Sequence, residues 1–346
     1  MSLTRTSLIY IFALKIDCLS DLKRSLTNSD HHGSEGIMNS RVKDLLGMLS
    51  VICCQSIFGF SFLFSKVGTN ISDPFSVLGW RFTVAFIAIA ICAVTGLIKI
   101  DLKGKDLRPL IMLSIFTPVI NYLLETIGIS MTTSSESGAM VACLPIACMI
   151  SASLILRKIP NRTQVLGITV TVAGVLICVF ARGFTKDLHM MGNILIIISV
   201  FSNSIFTALS EKAKEFSSVE KTFMMLLLGC ATFMPLAVIR NAITGSLVEY
   251  FTLPFVNKMF LASALYLGIG CSLVAFFLNN TAISIIGTTR TASFGGISTI
   301  VSIIAGVVIM KEEFLAIQVA GTVLVLIGAY TANAKAIMNN KETRNQ

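Results

Sequence analysis

The chain has 346 residues, of which 54% are hydrophobic and 13% charged, and its mean hydropathy is +0.83. Average soluble domains carry about 25% charged residues, so this composition excludes a water-soluble globular protein and indicates an integral membrane protein. The net charge of +9 does not indicate a nucleic-acid partner, because the Lys and Arg residues lie in short clusters between apolar runs, as they do in membrane proteins.

The N-terminal part, residues 1–37, differs from the rest of the chain. Its apolar run at residues 7–14 is shorter than the about 20 residues that a membrane-spanning helix needs. It also lacks the small-residue cleavage site of a signal peptide. We expect a mobile tail, or sequence upstream of a start at Met38, in which His31 and His32 are polar tail residues rather than metal ligands.

From Leu45 onward, apolar stretches of helical length follow one another with short polar breaks. Backbone groups in hydrocarbon must be hydrogen-bonded within the chain, so each stretch is expected to be an α-helix. The sequence therefore predicts an all-α integral membrane protein with ten transmembrane helices, at residues 45–65, 75–98, 109–131, 136–156, 163–181, 188–210, 222–240, 259–281, 289–310 and 314–334.

The basic residues predict the orientation of these helices. Of the 27 Lys and Arg residues, 20 lie in the tails and connections of one side and six in those of the other, and Arg81 lies inside a span. Because cytoplasmic loops carry the excess of Lys and Arg, both termini are predicted to be cytoplasmic in a multi-pass protein of the plasma or inner membrane.

The sequence also predicts an internal repeat. The last two helices of each predicted half are joined by a charged turn, in "ILRKIPNRTQVLGITVTVAGVLICV" (155–179) and in "GVVIMKEEFLAIQVAGTVLVLIGAY" (306–330). Five is an odd number, so two five-helix copies must cross the membrane in opposite senses, which makes them inverted repeats. The predicted domains are an N-terminal tail (1–44), the first repeat (45–182), the second repeat (188–335) and a cytoplasmic C-terminal tail (336–346).

Four glycines match between these copies. At an offset of 154 residues Gly167 falls on Gly321, and Gly174 falls on Gly328. Small residues let the backbones of membrane helices approach closely, so we expect all four at helix contacts.

Several segments resemble a known repeat. The segments "QVLGITVTVAGV" (164–175) and "IQVAGTVLVLIGAY" (317–330), each after a charged turn, resemble the end of the EamA repeat of the drug/metabolite transporter superfamily. The segment "LGWRFTVAFIAIAI" (78–91) is similar to its second helix, and "LLETIGISMTTSSESGAMVACLP" (123–145) to its third and fourth helices. The chain departs from the pattern at Lys158, where the turn usually carries the glutamate kept as Glu312, and at Thr299, where proline is common. The resemblance implies a ten-helix transporter of small organic solutes, often an exporter of amino acids, metabolites or drugs.

Charged residues inside predicted spans are the first candidates for a functional site, since each costs about 2.5–3.5 kcal/mol at the bilayer centre. Arg81 is expected about 9 Å below the outer end of the second span, from a rise of 1.5 Å per residue. Glu125 lies at a similar depth in the third span, and Glu136 begins the fourth span on the same side. We expect the three to converge, either as a substrate or proton site or as a structural ion pair near the interface.

Polar residues inside the spans are the second group of candidates. Asn121 lies one helical turn before Glu125, with Tyr122 beside it, and Pro118 is expected to bend the helix just before them. Asn203 and Asn279 lie in the sixth and eighth spans. Such residues either hydrogen-bond neighbouring helices or line a wet cavity, and we expect a cavity. Arg290, at the start of the ninth span, either anchors the cytoplasmic end or binds an anionic substrate.

These features predict a secondary transporter that moves a small organic solute, as an exporter, by alternating access. The alternatives are an exchanger of phosphorylated sugars or nucleotides, for which Arg81 and Arg290 offer few phosphate ligands, and a channel. No enzyme, cofactor or metal motif is present in the sequence. The predicted partners are the substrate, the lipid bilayer and protons at an intramembrane carboxylate, with no nucleic acid, and a homodimer is left open.

Overall fold

The computed structural model describes residues 33–98, 100–156, 162–180 and 188–342. Within these ranges every regular element is a helix. The predicted tail up to residue 32, the turn at residues 157–161 with Lys158, and the loop at residues 181–187 lie outside the described residues.

The described part of the chain forms a series of helices joined by short connections. They are α1 (Gly33–Ile71), α2 (Pro74–Val94), α3 (Arg108–Met131), α4 (Ser134–Ile155), α5 (Arg162–Phe180), α6 (Leu188–Lys212), α7 (Ser218–Ile243), α8 (Leu247–Val256), α9 (Lys258–Ile286), α10 (Arg290–Ile309) and α11 (Ala316–Glu342). Eight of them are long and apolar enough to cross a membrane, and α5 and α11 contain the shorter apolar segments Val165–Cys178 and Ala316–Thr331.

The helices differ from the predicted spans at several points, and α11, for example, continues to Glu342, past the predicted end at residue 334 and into the predicted C-terminal tail. Helix α1 begins at Gly33, twelve residues before the predicted start at Leu45. Helix α8 lies in a segment that the sequence predicts to be a connection, because ten residues are too short for a span. Most of the large apolar side chains of α8 are exposed, as expected of a helix that lies along a membrane surface.

Local sequence explains where two helices begin and why one is irregular. The Asp73 carboxylate accepts the Phe75 N–H at 3.0 Å, and Pro74 occupies the first position of α2, where its missing N–H costs nothing. The first turn of α7 forms a capping box between Ser217 and Glu220. Within α3, Thr117 leaves helical geometry just before Pro118, as the proline predicts. This irregular turn sets the direction in which the following residues of α3 face.

The helices pack in pairs across the two halves of the chain. Helix α5 packs on α11, α2 on α7, α3 on α6, α4 on α10, and α1 on both α9 and α10. The α5–α11 contact brings the backbones together, since a Cβ added to Gly174 would lie 2.6 Å from the Gly321 carbonyl oxygen. A Cβ added to Gly328 would lie 2.7 Å from the Gly167 carbonyl oxygen. All four matched glycines therefore lie where α5 and α11 cross.

Candidate functional site

A cavity of about 60 Å³, the central cavity, lies between helices inside the bundle. Helices α1, α3, α4, α6, α7, α9 and α10 all contribute to its wall, and the polar residues of that wall are Gln55, Ser61, Thr117, Asn121, Tyr122, Glu125, Asn203, Thr207, Asn279, Asn280, Thr291 and Ser298. A water molecule needs about 10–15 Å³ of such space, so the cavity has room for only a few waters in this conformation.

The cavity is displaced toward one end of the bundle. Its α6 and α9 residues come from the second half of those helices and its α10 residues from the first half, whereas α3 and α4 contribute residues from their middle. We call this the Glu211 end, after the residue next to the end of α6. The opposite end, where α3 ends and α4 begins, is the Glu312 end.

Five of the eight predicted site residues line this cavity: Asn121, Tyr122, Glu125, Asn203 and Asn279. The Asn121 Nδ2 donates to the Ser199 carbonyl oxygen at 3.0 Å, which joins α3 to α6 beside the cavity. The amide oxygen of Asn121 has no such bond among the described residues. The bend before Pro118 places Asn121 and Glu125, which are one helical turn apart, on the cavity side of α3.

Arg81 lies behind the cavity wall rather than in it. Its side chain is 1% exposed, and its Nε donates to the Ser272 Oγ at 2.8 Å. The guanidinium carbon is 4.0 Å from the centre of the Tyr122 ring, which separates it from the cavity as a cation–π contact. Its Nη2 is buried and has no hydrogen-bond partner within the described chain. Among the described residues, the Ser272 hydroxyl and the rings of Tyr122 and Phe82 therefore hold the Arg81 guanidinium.

Glu125 lies on the same helix as Tyr122, one turn further along, and interacts electrostatically with Arg81. Among the described residues, the two groups do not form an ion pair within 4.0 Å. Among the residues that the structure describes, none forms a hydrogen bond or ion pair with the Glu125 carboxylate. This carboxylate is therefore presented to the cavity, with Arg81 behind it as the nearby positive charge.

The structure does not bring Glu136 to Arg81 and Glu125. The Glu136 Oε1 accepts the Gln318 Nε2–H at 2.8 Å, and its Oε2 lies 3.4 Å from the His189 Nδ1. The prediction that the three charges converge is therefore wrong: Glu125 lies in the cavity wall with Arg81 behind it, and Glu136 is a separate carboxylate at the Glu312 end. The reason is that Glu136 lies in the first turn of α4, where its neighbours are the first turns of α6 and α11.

Glu312 completes this second group. Its Oε1 accepts the Ser134 N–H at 2.8 Å, and its Oε2 accepts the Ser135 N–H at 2.9 Å and the Ser135 hydroxyl at 2.8 Å. The first N–H groups of a helix have no partner inside it, and the helix dipole makes this end positive, so a carboxylate is the favoured cap. We call Glu312, Ser134, Ser135, Glu136, Gln318 and His189 the Glu312 cluster.

Two further residues shape the Glu312 cluster. Lys311 has a φ of 59°, a left-handed conformation that is uncommon for lysine and turns the chain just before Glu312. Lys66 donates to the carbonyl oxygens of Ile129 and Ser130 at 3.1 and 3.2 Å, at the C-terminal end of α3. Lys66 also interacts electrostatically with Glu312 and Glu136. The cluster therefore ties α1, α3, α4, α6 and α11 together at one end of the bundle.

The Glu211 end is also joined by hydrogen bonds between helices. The Glu211 Oε2 accepts the Thr288 N–H at 3.2 Å, and the Thr288 hydroxyl donates to the Thr207 carbonyl oxygen at 3.3 Å. Arg290 is half-buried here and does not line the cavity, although the adjacent Thr291 does. The structure thus places Arg290 outside the cavity wall.

The sequence alone assigns no role to Lys66, His189 or Gln318. Lys66 follows the predicted end of the first span and so falls in a connection, whereas α1 continues to Ile71. Gln318 matches Gln164 at the same offset as the glycines, and that match is the available signal that it matters. His189 carries no signal, because its partner Glu136 is 53 residues away in the chain.

Comparison with known proteins identifies the family. The profile of the EamA-like transporter family matches the chain twice, at residues 45–180 and 190–334. The uncharacterized transporter YcxC of Bacillus subtilis (strain 168) is 32% identical over 287 residues, which cover 82% of this chain and 92% of the relative. A WAT1-related protein of Arabidopsis thaliana is 23% identical over 64% of this chain and 66% of its own length.

A solved structure agrees with the fold. One crystal structure superimposes with a TM-score of 0.54 at 16% sequence identity, over 85% of this chain and 97% of that chain. The family profile and the names of the relatives indicate a multi-pass membrane transporter rather than an enzyme. The chain belongs to the EamA-like transporter family.

Proposed function

We propose that the chain is a secondary transporter that exports a small organic solute across the cell membrane by alternating access, with ten transmembrane helices in two inverted five-helix halves. The packing supports such a repeat. In such a repeat the helices α1 to α5 correspond, in this order, to α6, α7, α9, α10 and α11. When each helix is exchanged for its counterpart, the contact between α1 and α9 becomes the contact between α6 and α3, which the structure also contains. The same exchange maps the α5–α11, α2–α7 and α4–α10 contacts onto themselves. Helix α8 is then an insertion in the second half.

The proposed orientation gives the two ends of the bundle different roles. With both termini cytoplasmic, the Glu312 end faces outward and the Glu211 end faces the cytoplasm. The cavity lies nearer the cytoplasmic end, and the Glu312 cluster holds the outer end together. This arrangement fits a state that receives solute from the cytoplasm, and release to the outside requires the Glu312 cluster to separate.

The observation that carries the coupling proposal is the Glu125 carboxylate, which lines the cavity without a hydrogen-bonding partner among the described residues. An ionisable group inside a membrane protein marks a substrate or proton pathway by default. Glu125 takes up a proton in one access state and releases it in the other, which couples export to the proton gradient. No Lys or Arg belongs to the described cavity wall, which disfavours phosphorylated sugars or nucleotides as substrates.

A comparison of metabolites in medium and cells, with and without overexpression of the chain, tests this function. Overexpression of the natural sequence should enrich at least one small solute in the medium above its cellular concentration. Glu125→Gln should reach the membrane in the same amount and lose this enrichment. Glu249→Gln, which changes an exposed carboxylate on α8, is the control and should retain it.

Two outcomes would contradict the proposal in different ways. If a well-folded Glu125→Gln still concentrates solute outside the cell, Glu125 does not couple transport to protons. If Glu125→Gln misfolds and the double variant with Arg81→Gln restores the yield, Glu125 serves as a structural partner of Arg81, because its removal strands a buried charge.

A further inference from the structure

A second cavity, of about 460 Å³, lies at the Glu211 end. It is formed where α6 ends, α7 begins and α9 ends, and its wall includes Glu211, Lys214, Phe216, Lys221, Ile283 and Ile285. Ligand pockets usually measure about 300–1,000 Å³, so this one is large enough for an organic ligand. It is separate from the central cavity, with which it shares no wall residue.

The buried ammonium of Lys221 is the unexplained feature of this cavity. The Lys221 side chain is 4% exposed, and its Nζ donates to the Ser210 carbonyl oxygen at 2.6 Å. Within the described ranges no carboxylate forms an ion pair with Lys221. A buried charge is costly unless it is paired, and the positive end of the α7 dipole, where Lys221 lies, adds to that cost. The Ser210 carbonyl, in the last turn of α6, offsets part of it.

Of the acidic residues just before Lys221 in the sequence, Glu215 is exposed and does not line the cavity, and Glu220 and Glu211 are engaged elsewhere. The Glu220 Oε1 accepts the Lys105 Nζ–H at 2.7 Å, and its Oε2 accepts the Ser217 N–H at 2.7 Å. Glu211 lines the cavity, but its Oε2 accepts the Thr288 N–H. The wall therefore carries two cations, Lys214 and Lys221, against one carboxylate.

We propose that this cavity binds the phosphate group of an anionic phospholipid. Lys221 supplies the buried cation, and the exposed Lys214 supplies the second positive charge at the rim. In the proposed topology the ends of α6 and α9 lie at the membrane surface, where basic pockets between helices bind lipid head groups. Phosphate alone fills a small part of 460 Å³, and the side chains of Phe216, Ile283 and Ile285 provide apolar surface for the glycerol and the upper acyl chain.

This inference goes beyond the proposed transport function and needs no transport measurement. The proposed orientation only decides that the leaflet involved is the cytoplasmic one. If Glu125 proves not to couple transport, the lipid site is unaffected. If no lipid binds, the coupling proposal is unaffected, so the two proposals fail separately.

The experiment uses the purified full chain in a neutral detergent. Its thermal unfolding midpoint is measured with added phosphatidylglycerol, phosphatidylcholine or inorganic phosphate at equal molar concentration. Phosphatidylglycerol should raise the midpoint by at least about 2 °C, because a ligand that binds only the folded state stabilises it. Phosphatidylcholine and inorganic phosphate should have little effect. Native mass spectrometry should detect one retained phosphatidylglycerol.

Three variants locate the binding. Lys221→Gln should abolish the shift, and Lys214→Gln should reduce it. Lys258→Gln changes an exposed lysine at the opposite end of α9 and should leave the shift intact. If Lys221→Gln does not fold, the midpoint shifts of Lys214→Gln and Lys258→Gln are compared instead, because both residues are exposed and their replacement should not affect folding. A smaller shift in Lys214→Gln than in Lys258→Gln supports the site. An equal shift in all variants, or an equal shift with inorganic phosphate, would overturn the lipid proposal.

Discussion

Replacing Glu312 with alanine should open the Glu312 end of the bundle. The change removes the acceptor of three hydrogen bonds, from the N–H groups of Ser134 and Ser135 and from the Ser135 hydroxyl, at 2.8–2.9 Å. Net of exchange with water, a hydrogen bond contributes about 0.5–1.5 kcal/mol and one to a charged group about 1.5–3 kcal/mol, and three bonds that share one carboxylate fall in the lower range. We therefore assign about 1 kcal/mol to each bond and about 3 kcal/mol in total.

That free energy predicts a large change in accessibility. Each 1.4 kcal/mol corresponds to a factor of ten, so about 3 kcal/mol shifts the equilibrium between the closed and open Glu312 end by about 100-fold. Glu312→Gln keeps an amide oxygen as an uncharged acceptor and should give an intermediate shift. The open state of the Glu312 end should be most populated in Glu312→Ala, less populated in Glu312→Gln and least populated with the natural glutamate.

Cys148 offers a reporter for this opening, because it lines the central cavity and its thiol is free. The other cysteines are replaced, and a membrane-impermeant maleimide is added from the Glu312 side, with vesicles of both orientations compared. Labelling of Cys148 should be slow in the natural background and about 100-fold faster in Glu312→Ala, by the same factor of ten per 1.4 kcal/mol. The control Glu249→Ala removes an exposed carboxylate at the same end of the bundle and should label at the natural rate.

The folded state of each variant is checked by size-exclusion chromatography and by its thermal unfolding midpoint. An unchanged labelling rate in folded Glu312→Ala would refute the reasoning that these bonds keep the Glu312 end closed.

Two further predictions follow from the packing and from the orientation. Gly174→Ala should lower the folded yield and the thermal unfolding midpoint, because its Cβ would lie 2.6 Å from the Gly321 carbonyl oxygen. Gly295→Ala is the control and should lower neither, because no atom lies within 4 Å of its Cβ. Equal stability of the two variants would mean that α5 and α11 are not in contact at Gly174. Single cysteines at the exposed positions 103 and 252 should report opposite sides of the membrane. In intact cells, Lys103→Cys should resist an impermeant thiol reagent and Thr252→Cys should react, and labelling of Lys103→Cys would contradict the proposed orientation.

The cavity residues show what helical spacing predicts well. Glu125 lies four residues after Asn121 and three residues after Tyr122 in α3. Residues at these spacings are neighbours on a helix surface, so the helical period alone predicts that Asn121 and Tyr122 lie on the same side of α3 as Glu125. Asn203 and Asn279 are candidates because polar groups in a lipid-facing position are costly, and both line the same cavity as the α3 residues. The partners of these residues are not predictable from the sequence, because each contact joins helices that are distant along the chain.

Arg81 and Glu136 show where the same reasoning stops. Their depth in the membrane suggests a common site, but depth does not define the direction of a side chain around the bundle axis. Arg81 lies behind Tyr122 and bonds Ser272, which is 191 residues away in the chain, and Glu136 bonds Gln318, which is 182 residues away. Packing across the two halves of the chain determines both partners.

The sequence by itself determined that the chain enters a membrane as apolar helices, where most of those helices lie, and that the chain resembles a transporter repeat. Each of these follows from local composition, because hydrocarbon excludes unpaired backbone groups whatever the tertiary structure. Only the tertiary structure decided that Glu125 faces a cavity, that the Glu312 carboxylate caps the start of α4, and that Lys221 is buried with no carboxylate bonded to it among the described residues. Those properties depend on which helices meet, and dispersion and hydrogen bonding between distant segments determine that choice.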